Sequence, residues 1–282
     1  MKAFRFLILA AVIASASLTK AEPDLTNTDK AVPPTIAIII DDMGYNLEEG
    51  ERLINLGRPL TLSFLPYRPY TVQLAQLAHQ HHKEIMLHAP MANTHHYGLG
   101  KGGLTPDMDE QHMTTTLRRA LQSIPHVQGV NNHMGSLLTQ QLLPMEWVMK
   151  ELSRYPLYFV DSRTIASSIA SNVASAYQVP NLDRDIFLDH EQTEEFLEKQ
   201  FKLLIKKARE NGSAIAIGHP HKLTVDFLEK HLPQLDAQGV AIATVSGLWA
   251  IRNNNQNMFA EGKRQAIQPA YAKKTQSRTS IP

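Results

Sequence analysis

The 282-residue chain contains no cysteine. That excludes disulfide staples, thiolate metal sites and a cysteine nucleophile, so stability must come from the core and any metal must be held by His, Asp or Glu. Net charge is nearly absent as well: 28 Lys and Arg stand against 27 Asp and Glu. Such a balance exerts no global pull on nucleic acid, and no basic aromatic stripe marks a binder of single strands. No G-x-G-x-x-G follows the first predicted strand, which removes the dinucleotide fingerprint, and no G-x-S-x-G elbow offers a serine nucleophile. No internal repeat is visible.

What is present starts with an address. Lys2 and Arg5 precede the apolar stretch from Phe6 to Ile13, and Thr19-Lys20-Ala21 sets small residues at the −3 and −1 positions of a cleavage site. Residues 1–21 therefore read as a secretory signal peptide, too short for a comfortable membrane span, with an uncleaved anchor as the alternative. The expected location is the periplasm or the medium, with no stable membrane span after cleavage. Residues 22–34 are polar and close on Pro33-Pro34, a linker. Residues 35–251 read as one domain. Residues 252–282 turn polar and basic, with Lys263, Arg264, Lys273, Lys274 and Arg278 against Glu261, and read as a disordered tail.

The domain opens on Ile36-Ala37-Ile38-Ile39-Ile40-Asp41-Asp42-Met43-Gly44. A short β-branched run between Pro34 and Gly44 predicts a strand buried on both faces, and such strands belong to parallel sheets covered by helices. Two adjacent carboxylates at its carboxyl end repel each other unless a cation, a shared proton or solvent lies between them. An N-cap for the next helix is the plain alternative. Beyond it, Asn46 can cap a helix, Asp107 or Asp109 starts a later one, and strand and helix alternate without interruption to late strands over 185–189 and 240–245. That gives seven or eight strands and an α/β fold with mostly parallel strands, closed as a barrel or open as a doubly wound sheet. Capping-box spacing from Asp189 to Gln192 predicts the start of the longest helix, which Gly212 closes.

The carboxyl ends of these strands carry the chemistry: Asp41-Asp42, His88, His133, Asp161-Ser162-Arg163 and His219-Pro220-His221. In a parallel barrel those ends face one mouth. Neutral imidazoles with a carboxylate suit a divalent metal, Zn²⁺ first by affinity and availability, and a catalytic site keeps three protein ligands and room for water. A glycosidase pair drawn from Asp41 or Asp42 with Asp161 or Asp189 stays open, because spacing across a cleft is not written in a sequence. Trp147 and Trp249 read as packing rather than sugar platforms.

Seven segments in order, IIIDDMG (38–44), LSFLP (62–66), MLHAPM (86–91), GVNNHMGS (129–136), FVDSRT (159–164), RDIFLD (184–189) and IGHPH (217–221), resemble the divergent polysaccharide deacetylase family, a branch of the NodB-like carbohydrate esterases. The resemblance implies a distorted (β/α) barrel, a divalent metal, and hydrolysis of N- or O-acetyl groups on a polysaccharide or peptidoglycan-type glycan. It also implies Asp41 as the base and Asp42 as a metal ligand. The family's H-x-x-x-H motif is missing, since Ala92 stands four residues after His88, and His133 is the proposed replacement ligand beside His88. His219 corresponds to the family's acid, with His221 as its alternate. Arg163 would orient Asp161 or clamp substrate, and His221, Asn132 and Ser136 are candidate substrate contacts. The family's arginine-proline-tyrosine and Asp-Trp segments have no clean match, which keeps a second expectation alive: a metal-bearing glycan-binding or scaffold protein of the envelope without turnover.

Overall fold

A computed structural model describes residues 32–254 and Ile267. The expected signal peptide, nearly all of the linker and most of the basic tail lie outside the described residues. Nine strands form one sheet. β1 (Thr35–Met43), β2 (Thr61–Phe64), β3 (Glu84–Met91), β4 (Gly129–Met134), β5 (Tyr158–Asp161) and β6 (Asn181–Asp183) run side by side in sequence order. On the other flank of β1 lie β8 (Ser213–Gly218) and then β7 (Ile186–Phe187), while β9 (Ala241–Ala243) pairs separately with β1. All of these pairings are parallel. The two ends of the path, β6 and β7, are joined by Arg184 and Asp185 alone, whose amides bond to Asp161 O and Ile215 O on opposite flanks. The chain itself bridges the seam of a distorted (β/α) barrel, as expected.

β1 shows why the alternation of the sequence is muted. Ile36, Ile38 and Ile40 face the outer core against the helices, whereas Ala37 and Ile39 face the barrel interior with Met86, Tyr158, Val160, Ile215 and Ile217. Both faces of the pleat are dry, so neither position can be polar. Each fully buried isoleucine is worth roughly 1.5–3 kcal/mol relative to exposure.

The helices are α1 (Leu47–Asn55), α2 (Thr71–Gln80), α3 (Glu110–Ser123), α4 (Leu142–Leu152), α5 (Ala170–Ala176), α6 (Glu194–Asn211), α7 (Lys222–His231) and α8 (Val245–Arg252). Asn46 caps α1 by accepting from Glu49 N, and Asp109 caps α3 by accepting from His112 N. Gly212, at φ +80°, ends α6 in the left-handed region. Three expectations are corrected. The cap of α6 is Thr193, which accepts from Phe196 N, and not Asp189, whose carboxylate is buried in other bonds. The strand expected over 185–189 shrinks to two residues, and the three-residue β6 precedes it. The strand expected over 240–245 gives way at Val245 to α8, whose first amides donate to Thr61 Oγ1 and Glu84, the first residues of β2 and β3. This helix seals the amino-terminal end of the barrel and leaves the carboxyl end as the open mouth. Trp147 and Trp249 pack against the core, as read from the sequence. Among the described residues no helix is long and apolar enough to cross a membrane.

Candidate active site

In a regular strand Asp41 and Asp42 would point to opposite faces. They do not, because the register of β1 with β2 shifts between Ile40 and Met43 and Asp42 adopts φ 56°. Such a bulge re-aims a side chain, and the short polar Asp tolerates the left-handed region better than most residues. Both carboxylates therefore reach His88: Nε2 lies 3.5 Å from Asp41 Oδ2 and 3.4 Å from Asp42 Oδ1. Asp41 is buried, while the side chain of Asp42 is 34% exposed. The turn that follows needs Gly44 at φ +113°, where a Cβ would stand 2.3 Å from Thr71 Oγ1.

β3 and β4 supply the imidazoles. The parallel register pairs His88 with Asn131 and Pro90 with His133. Residues two apart share a face, so Asn131 and His133 turn toward the mouth together. His133 Nδ1 lies 3.0 Å from Asp42 Oδ1 and 3.2 Å from His88 Nε2. With the 3.4 Å side, these three atoms form a nearly equilateral triangle. An ion held tetrahedrally at 2.0–2.1 Å from each ligand needs ligands about 3.3 Å apart. Asp42 Oδ1 is buried with no directed hydrogen bond, the 3.0 Å contact being an approach without the required angle. His88 Nδ1 sits 2.8 Å from Asn131 Oδ1, the oxygen end of an amide whose nitrogen donates to Asp41 Oδ1. That assigns the proton of neutral His88 to Nδ1 and turns the Nε2 lone pair into the triangle. An orphaned carboxylate oxygen facing two imidazole nitrogens is a donor set that fits a divalent cation.

The two aspartates are driven apart electrostatically. Burial pushes the Asp41 carboxyl above its ordinary range, against the opposing pull of His88, His219 and the Asn131 hydrogen bond. Burial acts on Asp42 in the same direction, but His133 and His88 outweigh it and hold that carboxyl well below its ordinary value. For His88, burial opposes charge and the two carboxylates prevail, so its pKa lies above the ordinary value. Pairs of acids split in this way mark one group that stays ionised and one that can carry a proton.

On β8, the neighbour of β1 opposite β2, the chain runs straight into His219. Its Nδ1 is 2.9 Å from Asp189 Oδ1, and its backbone amide donates to Asp189 Oδ2 at 2.6 Å. Thr224 Oγ1 donates to the same oxygen at 2.8 Å. Desolvation lowers the His219 pKa, but the Asp189 bond and charge, with Asp41 and Asp42 beyond, push it up to about 9. Asp189, His219 and His221 also form a compact group of possible ligand atoms. In that group both Asp189 oxygens and His219 Nδ1 are already bonded to each other or to the chain, so it is a carboxylate–imidazole dyad rather than an open ligand set.

The remaining expected residues are placed differently. Asp161 accepts from Ser168 Oγ at 2.6 Å and from Arg163 N at 2.8 Å. Arg163 donates to Asp183 Oδ2 at 2.8 Å and to Ser168 O at 3.1 Å. Together they brace the loop after β5, and Ser162 links that loop to the acid–imidazole cluster, its Oγ accepting from Asn131 at 3.2 Å. Asn132 is 1% exposed, donates to Met134 O and accepts from Ser162 N, so it builds the wall and does not face a ligand. Ser136 accepts from Thr94 N at 3.0 Å and pins the long loop 92–107 to the end of β4. His221 stands beside His219, with ring centroids 5.8 Å apart. Sequence reasoning missed Asn131, which joins His88 to Asp41, and Ser63, which donates to Asn131 Oδ1 at 2.6 Å. The signal was available: with His133 chosen, the period of two selects Asn131, not Asn132.

A model of the family described as divergent polysaccharide deacetylase matches residues 38–249, and the chain belongs to that family. Over 195 residues it is 38% identical to Uncharacterized protein YibQ of Escherichia coli strain K12, covering 69% of this chain and 61% of that protein. The match thus spans less than two thirds of that relative's length. A Haemophilus influenzae protein is 35% identical over 214 residues, with 76% of each chain covered. Among solved structures, uncharacterized protein ATU2773 from Agrobacterium tumefaciens C58 superposes with a TM-score of 0.74 at 24% identity, covering 78% of this chain and 90% of that one, which supports the fold.

Proposed function

We propose that the protein is an exported, metal-dependent hydrolase that removes N- or O-acetyl groups from a cell-envelope glycan. The observation that carries the reading is the triangle of Asp42 Oδ1, His88 Nε2 and His133 Nδ1, with sides of 3.0–3.4 Å, beside the raised carboxyl of Asp41 and the His219 imidazole paired with Asp189. Asp42, His88 and His133 would hold the metal, and zinc fits two imidazoles and a carboxylate. Such an ion supplies Lewis-acid polarisation of an acyl carbonyl and makes water a competent nucleophile near neutral pH.

The chain's own groups do the rest. Asp41, basic for a carboxylate because it is buried, takes the proton of the attacking water through the oxygen not held by Asn131. His219, held as a cation by Asp189, carries its second proton on Nε2 and delivers it to the departing amine or alcohol. Asn131 fixes Asp41 and His88 at once and sets the distance between proton acceptor and ligand.

The test is acetate release from acetylated peptidoglycan fragments and chitooligosaccharides, with and without chelator. Activity should vanish on chelation and return with added metal. Asp41→Asn should abolish release while keeping bound metal, and Asp42→Asn should lose the metal; full activity in Asp41→Asn refutes the assignment. The absent H-x-x-x-H and Asp-Trp segments, with no clean match to the family's arginine-proline-tyrosine segment, favour a second reading, glycan binding without turnover. Binding without acetate across several metals would establish that reading instead.

A further inference from the structure

Loop 92–107 walls a cleft of about 570 Å³ on the β3–β4 side of the mouth. Its floor, at Ala92, Asn93 and Leu137, belongs to the segments that leave the strands carrying His88 and His133, and Leu137 N bonds to Ala92 O at 3.0 Å. Ala92 follows directly on β3 and Leu137 lies just past β4, so the cleft borders the ends of the two strands that carry His88 and His133. Tyr97, 63% exposed and stacked on His95 with centroids 5.4 Å apart, offers an aromatic face at its rim.

Arg68 stands beside this cleft, just past β2, with its Cβ side packed toward Gly44 of the first-strand turn. Its guanidinium lies over the Tyr45 ring at 4.7 Å, and its terminal nitrogens press against Gly100, where a Cβ would come within 2.5 Å of Nη2. Gly100 lines the cleft. The carbonyl of Arg68 accepts from Thr71 N, but its guanidinium makes no hydrogen bond and no ion pair among the described residues, and its Nε is buried without a partner. The other half-buried arginines there, Arg52, Arg58, Arg118, Arg163 and Arg184, are all bonded to carboxylates or carbonyls. A buried, unmatched donor is costly, and a planar fork of this kind is built to hold carboxylate or phosphate. Lys101, on the same loop and 4.6 Å over the Tyr67 ring, adds a second cation with no carboxylate partner among the described residues. Asp107, the carboxylate in the lining, is engaged by Thr105.

We infer that this cleft selects an acidic glycan, with Arg68 gripping a carboxylate or phosphate on a sugar next to the one presented to Asp41 and His219. The inference rests on the glycan reading above and deepens it. Glycine at 100 lets the guanidinium pack directly against the loop that walls the cleft, and Tyr45 stacks on its plane.

The test measures binding directly, by calorimetry on the full protein, with three probes of equal length: a uronic-acid oligosaccharide, its methyl ester, and a phosphate-bearing oligosaccharide. The acid should bind at least about tenfold more tightly than the ester, as a charge-assisted fork contact does, and the ratio should fall with added salt. Arg68→Gln should bring the ratio to one, and Arg68→Lys should keep part of it; melting curves confirm that each variant folds. Whichever of carboxylate and phosphate binds tighter identifies the group. Equal binding of acid and ester by the wild type, binding of none of the three, or a ratio that survives Arg68→Gln overturns the inference. Acetate release from neutral chitooligosaccharides with no charge preference would leave the hydrolase reading standing and sink this one. Arg68-dependent binding of the acid without acetate release would do the reverse.

Discussion

Replacing Asn131 by alanine tests the architecture of the site without touching a proposed ligand. Asn131 is fully buried and spans four groups: His88 Nδ1 at 2.8 Å, Asp41 Oδ1 at 2.8 Å, Ser63 Oγ at 2.6 Å and Ser162 Oγ at 3.2 Å. The two hydroxyls can rotate toward other acceptors. The Asp41 oxygen and the His88 nitrogen cannot, and a buried polar group stripped of its partner costs about 1–3 kcal/mol. Two such groups give a central expectation of about 4 kcal/mol, and at about 2–4 °C per kcal/mol for a domain of this size the melting point in chelator should fall by about 8–16 °C. Losing the acceptor that fixes the His88 ring should also weaken zinc binding about 10–100-fold, read by competition with a chromophoric chelator. Asn131→Asp separates the two roles. It restores an acceptor for His88 and should recover metal affinity relative to alanine, while stability in chelator stays low because the new carboxylate faces Asp41. A melting point within about 2 °C of wild type in Asn131→Ala, together with metal affinity within about threefold, would refute the idea that this amide organises the centre.

Gly44→Ala places a Cβ 2.3 Å from Thr71 Oγ1 at φ +113°, so it should destabilise the fold by about 2–4 kcal/mol in urea melts; a loss under about 0.5 kcal/mol would mean that the turn relaxes freely. The dyad of His219 and Asp189 predicts a pH signature, measured in chelator as the stability of wild type minus that of His219→Gln. The folded-state pKa of His219 is raised from 6.5 to about 9, so its contribution is complete below pH 6.5 and is lost as pH rises through about 9. The pKa of Asp189 is depressed from 3.8, so that partner's contribution is present above 3.8 and is lost as pH falls below it. The difference should therefore peak between these limits at up to about 3 kcal/mol, counted once for the pair, and a flat profile from pH 4 to 9 would contradict the dyad.

Much was written locally. Ile36 to Ile40 announce a strand with two dry faces, Asn46 declares its helix, and Asp107 or Asp109 the start of a later one, where the structure selects Asp109. Asp42, His88 and His133 each lie in the carboxyl-terminal half of a strand, which a parallel barrel turns to one mouth. These features depend on residues close in sequence, where propensity, capping and the period of two act directly. Asp189 shows where local reading stops. Its spacing to Gln192 imitates a cap, yet burial beside β8 offers the carboxylate a backbone amide, a hydroxyl and an imidazole, and those bonds outcompete a helix end. α8 was hidden for the same reason: its stability comes from Val245 and Leu248 inside the barrel and from Thr61 and Glu84, residues far away in the chain.

By itself the sequence determined the alternation of elements, the absence of thiol chemistry and the acid and imidazole types delivered to the strand ends. Only the tertiary structure decided which atoms meet. The bulge at Asp42 turns two neighbouring carboxylates into one buried, raised acid and one depressed ligand-like acid. The register of β3 on β4 makes Asn131 their organiser, and the register of β8 on β1, which pairs Ile40 with Gly218, brings His219 beside Asp41. The physical reason is that proton affinity and metal fit depend on burial and on ångström-scale distances between segments, and those distances exist only once the barrel has formed.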